Sequence, residues 1–228
     1  MESRQIGIIF LILFPPLLLL LSFFFENEYF LLFGVALLLI SMLIFFRSFE
    51  KKRMDAREIV LLATLAAIAA VSRIPFSMLP SVQPTTFIVI VSGIVFGAES
   101  GFLIGAVAAF VSNIILGQGP WTPWQMYSWG MIGLIAGLIR HTLVMKKKLG
   151  ITLYGIITGF VYGWIMNLYF IVGFIKDVSW KEFIAFFAAS FYFDLTHALS
   201  NAFFILIFGA TWIKILTRFK LKYGLLSK

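Results

Sequence analysis

Cysteine is absent from the 228-residue sequence, which excludes disulfide staples, thiol nucleophiles and cysteine-held metals. Charge is scarce: Asp, Glu, Lys and Arg make up 12% of the residues, against about a quarter in a soluble domain. Only two histidines occur, His141 and His197, so a three-ligand metal site is hard to assemble. No Gly-x4-Gly-Lys-Ser/Thr sequence occurs, which excludes ATP binding in the P-loop manner. A Glu-Glu pair is missing too. The alternating pattern of a membrane β-barrel is also absent.

What is present is apolar. The chain is 61% hydrophobic with a mean hydropathy of +1.03. Residues 6–25, 29–46, 100–139, 149–175 and 195–213 contain no charge. A helix needs roughly 20 apolar residues to cross a hydrocarbon layer of about 30 Å, and helices satisfy their own backbone groups there. The sequence predicts eight helices, at about 6–25, 29–46, 57–73, 85–97, 100–116, 125–140, 151–174 and 186–213.

With eight helices, 15 of the 18 Lys and Arg residues fall on one side of the membrane. Only Arg73, Lys176 and Lys181 fall on the other. The positive-inside rule then places both termini, the 47–57 and 141–150 loops and the 214–228 tail in the cytoplasm. The net charge of +8 belongs at helix ends facing lipid headgroups, not on nucleic acid. No small-x-small cleavage site follows the first apolar run; Phe23, Phe24, Phe25 and Glu26 follow instead, so a retained helix is expected.

The charged segment 47–57 marks a boundary. Residues 1–50 form an expected N-terminal hairpin, kinked at Pro15 and Pro16, and residues 51–228 an expected six-helix core. That core carries glycines at four-residue spacing: Gly97, Gly101 and Gly105; Gly133 and Gly137; Gly155, Gly159 and Gly163. Such spacing suits close helix packing. Helices 85–97 and 125–140 are short and flanked by Pro-rich segments, 74–84 and 117–125, which predict a depression on the outer side.

Candidate functional residues cluster there. Trp121 and Trp124 offer flat apolar surfaces, while Gln118, Thr122 and Gln125 add polar contacts; ligand binding and interfacial anchoring both account for them. Gln83 closes the first outer loop. Asp194, His197 and Asn201 share one helical face. They read either as the polar wall of a site or as a clamp onto Asn167 or Tyr162. Phe193-x3-His197 and His197-x3-Asn201 echo intramembrane proteases, but the paired glutamates those enzymes need are missing. A proton-coupled carrier would rest on Asp194, the one charge well inside a helix. In helix 57–73, Ala63-x3-Ala67 and Ala66-x3-Ala70 make a smooth face for packing inside the bundle or for a partner.

The Met54-Asp55-Ala56-Arg57 start, the alanine-rich helix after it, the long outer loop that follows and the basic loop at Lys146 resemble the substrate-binding S component of energy-coupling factor (ECF) vitamin transporters. The resemblance covers residues 54–220. It implies an all-α, multi-pass protein of the bacterial cell membrane that is not itself an enzyme. It also implies a transmembrane T subunit that docks on Ala63, Ala66, Ala67 and Ala70, and two ATPase subunits that spend the ATP. The ligand pocket would lie among 74–84, 117–125, 175–185 and Asp194 to Asn201, and transport would proceed by toppling of the whole subunit. Within the family, Gly119-Pro120-Trp121-Thr122-Pro123-Trp124-Gln125-Met126 is most similar to cobalamin-specific members. The resemblance therefore implies cobalamin or a related corrinoid as transported ligand, with no permanently bound cofactor; folate, riboflavin or a queuosine precursor would also stack on indoles.

Overall fold

The computed structural model describes residues 54–175 and 179–226, together with residues 8–9, 11–12, 35–36, 39–40 and 42–43. Apart from those few positions, the expected hairpin over 6–25 and 29–46, its prolines and the domain boundary at residue 50 lie outside the described residues, as do residues 176–178 of the expected 175–185 loop.

From residue 54 the described chain is all helical. Its elements are α1 (Ala56–Val71), α2 (Pro84–Phe96), α3 (Ala98–Leu116), α4 (Thr122–Leu138), α5 (Lys148–Phe174) and α6 (Trp180–Phe204). A π-helical turn, Ile205–Gly209, joins α6 to α7 (Ala210–Tyr223). The last rod thus runs unbroken through 44 residues, Trp180–Tyr223. By length and composition α3, α5 and this rod can each cross a membrane.

Local chemistry sets the boundaries. Pro84 opens α2 and Pro123 sits in the first turn of α4, where a missing N–H costs nothing. The sequence reading started the last helix at 186, but it starts at 180. Ser179 and Glu182 form a capping box: Ser179 Oγ accepts from Glu182 N at 3.3 Å, and Glu182 Oε2 accepts from Ser179 N at 2.8 Å. That reading also ended the helix at 213. The helix continues to Tyr223 and stops at Gly224, whose φ of +61° provides the left-handed cap. Lys214, Arg218, Lys220 and Lys222 are therefore helical rather than part of a loose tail. At about 1.5 Å per residue the rod is ~66 Å long, roughly twice the hydrocarbon thickness.

The helix α2 is the axis of the bundle. It has only 13 residues, or about 20 Å, and every residue but Ile94 is buried. A helix apolar on all sides is one surrounded by others, and α2 contacts α1, α3, α4, α5, α6 and α7. Its connection to α3 is the single residue Gly97, at φ +100°.

Two glycine seams hold neighbouring helices at backbone contact. In the first, a Cβ on Gly101 would strike the Gly133 carbonyl, one on Gly105 the Trp129 carbonyl, and one on Gly93 the Gly133 carbonyl. Helices α2, α3 and α4 thus meet at one line. In the second, Gly155, Gly159 and Gly163 of α5 lie against Ile205, Ala198 and Asp194 of the last rod. Between α3 and α4, and between α5 and the last rod, ascending numbers meet descending ones, so these two pairs are antiparallel. Lipid gives apolar helices little reason to associate, and close van der Waals contact supplies it.

Loops 72–83 and 117–121, with the end of α5 and the start of α6, therefore gather at one end of the bundle. At the opposite end Lys220 Nζ donates to the Val95 carbonyl at 2.9 Å and Leu226 N donates to Glu58 Oε1 at 2.6 Å. The segment from Lys220 to Leu226 is thereby tied to the end of α2 and the start of α1. Leu11 and Met42, from the first fifty residues, are buried against Phe102, Trp124, Tyr127 and Tyr169.

Candidate ligand site

The loop end holds a concentration of buried polar groups. The first of its loops is a run of tight turns, with i→i+3 bonds from Arg73 through Val82. Thr85 Oγ1 fixes its start by donating to the Ala69 carbonyl at 2.8 Å. Ser81, after Pro80, has φ +60°, a conformation that costs a non-glycine residue about 1–2 kcal/mol. Backbone held at such cost is found at functional sites, and Ser81 lines a cavity.

The cavity measures about 260 Å³ and lies between this loop, α5 and α6. Gln83 and Ser81 form its roof; Tyr162, Gly163, Met166 and Asn167 form the α5 wall. Ser190, Phe193, Asp194 and His197 form the α6 wall. The α6 residues recur every three or four positions, so one helical face carries them all.

Asp194 is 4% exposed. Its Oδ2 accepts from Ser190 Oγ at 3.0 Å, and Ser190 Oγ accepts from Asn167 Nδ2 at 2.6 Å. The carboxylate lies directly over Gly163, where a Cβ would collide with it. His197 is equally buried, and its Nε2 is 2.8 Å from Thr86 Oγ1. The same Thr86 oxygen accepts from Trp129 Nε1 at 3.0 Å. Two buried polar atoms of the lining, Gln83 Oε1 and Tyr162 Oη, have no hydrogen-bond partner among the described residues. Buried polar atoms usually do have one.

The sequence-predicted residues divide into three groups. Gln83, Asn167, Asp194 and His197 meet at the cavity. Asn201 does not line it; its Nδ2 donates to the Gly155 carbonyl at 2.9 Å, clamping α6 to α5. Trp121, Thr122, Trp124 and Gln125 do not line it either. Thr122 Oγ1 accepts from Asn113 Nδ2 at 3.0 Å and donates to Gln118 Oε1 at 2.8 Å, while Gln125 Oε1 accepts from Asn113 Nδ2 at 2.7 Å. The loop's polar groups thus satisfy one another. Trp124 is buried against Tyr169, with ring centroids 5.8 Å apart, and Trp121 lies half-exposed over Gly119.

The alanine face also divides. Ala63 and Ala67 are exposed on α1, beside Ile59, Val60, Ile68 and Val71. Ala66 and Ala70 are buried in the bundle core.

Sequence reasoning placed Arg73 only as one of the three basic residues opposite the rest. In the structure it is 8% exposed and sits behind the cavity wall. Its Nη1 donates to Ser112 Oγ and to Asn113 Oδ1 at 2.9 Å, and its Nε has no partner among the described residues. A lone arginine at the close of an alanine-rich helix, with no acidic residue near it in sequence, was the available signal.

The model of the ECF transporter substrate-specific component family matches residues 57–219. This chain belongs to that family. The match runs from the first turn of α1 into α7 and includes every residue that lines the cavity. Curated relatives include a UPF0397 protein of Aliivibrio salmonicida, 24% identical over 106 residues, 44% of this chain and 56% of that protein. A UPF0397 protein of Vibrio atlanticus is 27% identical over 100 residues, 42% of this chain and 53% of that protein. The ECF-family chain thus spans a little over half the length of the curated relatives it matches. No solved structure matches it significantly.

Proposed function

We propose that this chain is the ligand-capturing subunit of an ECF importer, taking a small molecule at the loop end and delivering it with a transmembrane T subunit and two ATPases. The observation that carries the reading is the cavity itself: a buried carboxylate, a buried imidazole and unpartnered polar atoms meet at one end of a bundle whose family is substrate-specific. The charge asymmetry along the sequence supports a loop end that faces the outside of a bacterial cell membrane. The exposed pair Ala63 and Ala67, with no long side chain to obstruct a neighbouring helix, is the face of α1 on which the T subunit docks.

The cavity volume bears on the ligand. Sites for drug-sized molecules run to about 300–1,000 Å³, and this one falls just under that range. A corrinoid needs far more room, so cobalamin would enter only if loop 72–83 moved away from α5 and α6. A compact vitamin or heterocycle fits as the site stands.

The test is uptake by a bacterial host expressing this chain with and without an ECF energising module, supplied with labelled cobalamin, folate, riboflavin and a queuosine precursor in turn. Import of one of them only with the module is the expected result. Import without any module would overturn the reading in favour of a self-sufficient carrier using Asp194. Absence of any complex between chain and module would overturn it as well.

A further inference from the structure

We propose that the outward face of α7 is a binding surface for anionic phospholipid, with Lys214, Arg218 and Lys222 on the headgroup phosphates and the apolar side chains beside them against the acyl chains. This face lies at the end of the bundle opposite the cavity, and the proposal stands independently of the capture reading.

The face exists because the last helix continues past residue 213. One side of α7 packs on the bundle. Trp212 meets Phe87 with ring centroids 5.4 Å apart, Leu216 is buried, and Lys220 donates to the Val95 carbonyl. These three recur every four residues and so form one stripe. Lys214, Arg218 and Lys222 recur at the same spacing, two residues farther along, and all three are exposed. Two residues turn a helix through about 200°, which puts the basic stripe on the side away from the bundle. Ile215, Phe219 and Leu221 are exposed beside it.

The protein supplies these bases with no counter-charge. Residues 195–228 contain no Asp or Glu, and among the described residues none of the three forms an ion pair. Glu58, at the same end of the bundle, is engaged elsewhere: its Oε1 accepts from Leu226 N and its Oε2 from Asp55 N.

A neighbouring element repeats the composition. Gly155 lies against Ile205 across the antiparallel seam, so the start of α5 is level with the start of α7. There Lys146, Lys147 and Lys148 are exposed, and so are Leu143, Val144 and Leu149. Residues 100–176 also contain no Asp or Glu.

The mixture of bases and large apolar side chains decides the partner. An acidic protein surface would match the bases but set polar groups against the exposed Phe219 and Leu221. A zwitterionic lipid would match the apolar side chains, but it carries its own cation beside the phosphate. The boundary of an anionic bilayer offers free negative charge and acyl chains within a few ångströms, and long basic side chains reach from one to the other. Position agrees with this. Residues 195–213 carry no charge and rise about 29 Å, close to a hydrocarbon thickness of about 30 Å. Lys214 follows at the edge, and Arg218 lies about 6 Å beyond.

The experiment uses the full chain in phosphatidylcholine nanodiscs. Since the sequence has no cysteine, Thr211→Cys places a unique fluorophore on the exposed face, one turn before Lys214. Ile184→Cys, exposed near the loop end, is the control position. A small fraction of nitroxide-labelled phosphatidylglycerol or phosphatidylcholine is added as quencher. At position 211 phosphatidylglycerol is expected to be enriched at least about 5-fold over phosphatidylcholine, the effect of a single engaged base. At position 184 the two lipids should quench alike. The preference should shrink at high salt, a comparison that leaves every basic residue in place. Changing Lys214→Gln, Arg218→Gln and Lys222→Gln together should abolish it. Equal quenching by the two lipids at position 211, the same preference at both positions, or a preference that survives the triple change would overturn the proposal. Loss of assembly with the energising module in the triple variant, with no lipid preference in the parent, would overturn it in favour of an acidic protein partner.

Discussion

The guanidinium carbon of Arg73 lies 4.7 Å from the centroid of the Trp129 ring. The indole is fully buried, so the cation is held over its face away from competing water, where the attraction reaches about 2 kcal/mol. Through Nη1 the same guanidinium grips Ser112 and Asn113 on α3. The end of α1 is thus fastened to α3 and α4 by one side chain. From Trp129 the contacts continue through Thr86 to His197 in the cavity wall.

Arg73→Lys is therefore not conservative. It keeps the charge but loses the planar surface and the fork of donors. Stability should fall by about 1–3 kcal/mol, read as a lower midpoint of thermal unfolding in detergent by tryptophan fluorescence. An unchanged midpoint would show that the stack contributes nothing.

Thr86→Val removes the oxygen that joins Trp129 to His197 without changing the shape of the side chain much. The Trp129 N–H is left buried without a partner, at a cost of about 1–3 kcal/mol. His197 also loses the contact that fixes its tautomer, so ligand affinity should fall along with stability. Thr86→Ser should restore both, because it returns the hydroxyl. A Thr86→Ser variant as impaired as Thr86→Val would point to packing of the methyl group instead.

The bundle was more legible in the sequence than the site. Charge-free runs and glycines at four-residue spacing give the six core helices directly, because membrane thickness and close packing constrain them. The Ser179–Glu182 capping box was readable too, but a window set on hydropathy alone starts the helix later. The site is harder because it depends on which way side chains face. Trp121, Trp124 and Gln125 are near neighbours at the start of α4, yet their composition could not reveal that Asn113 and Gln118 would absorb the hydrogen bonds of Thr122 and Gln125. Asp194, His197 and Asn201 share one helical face, but the seam against α5 runs obliquely along it. Asp194 and His197 meet the cavity, and Asn201 meets the Gly155 carbonyl.

The division of the α1 alanines gives a sharp comparison. Ala67 is exposed and Ala66 is 3% exposed. Ala67→Leu should leave the unfolding midpoint unchanged but prevent co-purification with the T subunit. Ala66→Leu should overpack the core at a cost of about 1–3 kcal/mol, so that any loss of assembly follows loss of fold. Equal thermal stability of the two variants would contradict the inward placement of Ala66.

Gly163 offers a way to disturb the cavity from the opposite helix. A methyl group there would occupy the space of the Asp194 carboxylate. The α5 backbone is held near α6 by Gly155 and Gly159 farther along the same seam, so the helices have little freedom to part, and Asp194 must turn away from Ser190. Gly163→Ala should therefore weaken ligand binding as much as Asp194→Asn does, although it alters neither charge nor any hydrogen-bonding group. The two changes should not add when combined, because both act on one carboxylate. Calorimetric binding to the single and double variants checks this, and fully additive losses would mean that Gly163 acts on the fold rather than through Asp194.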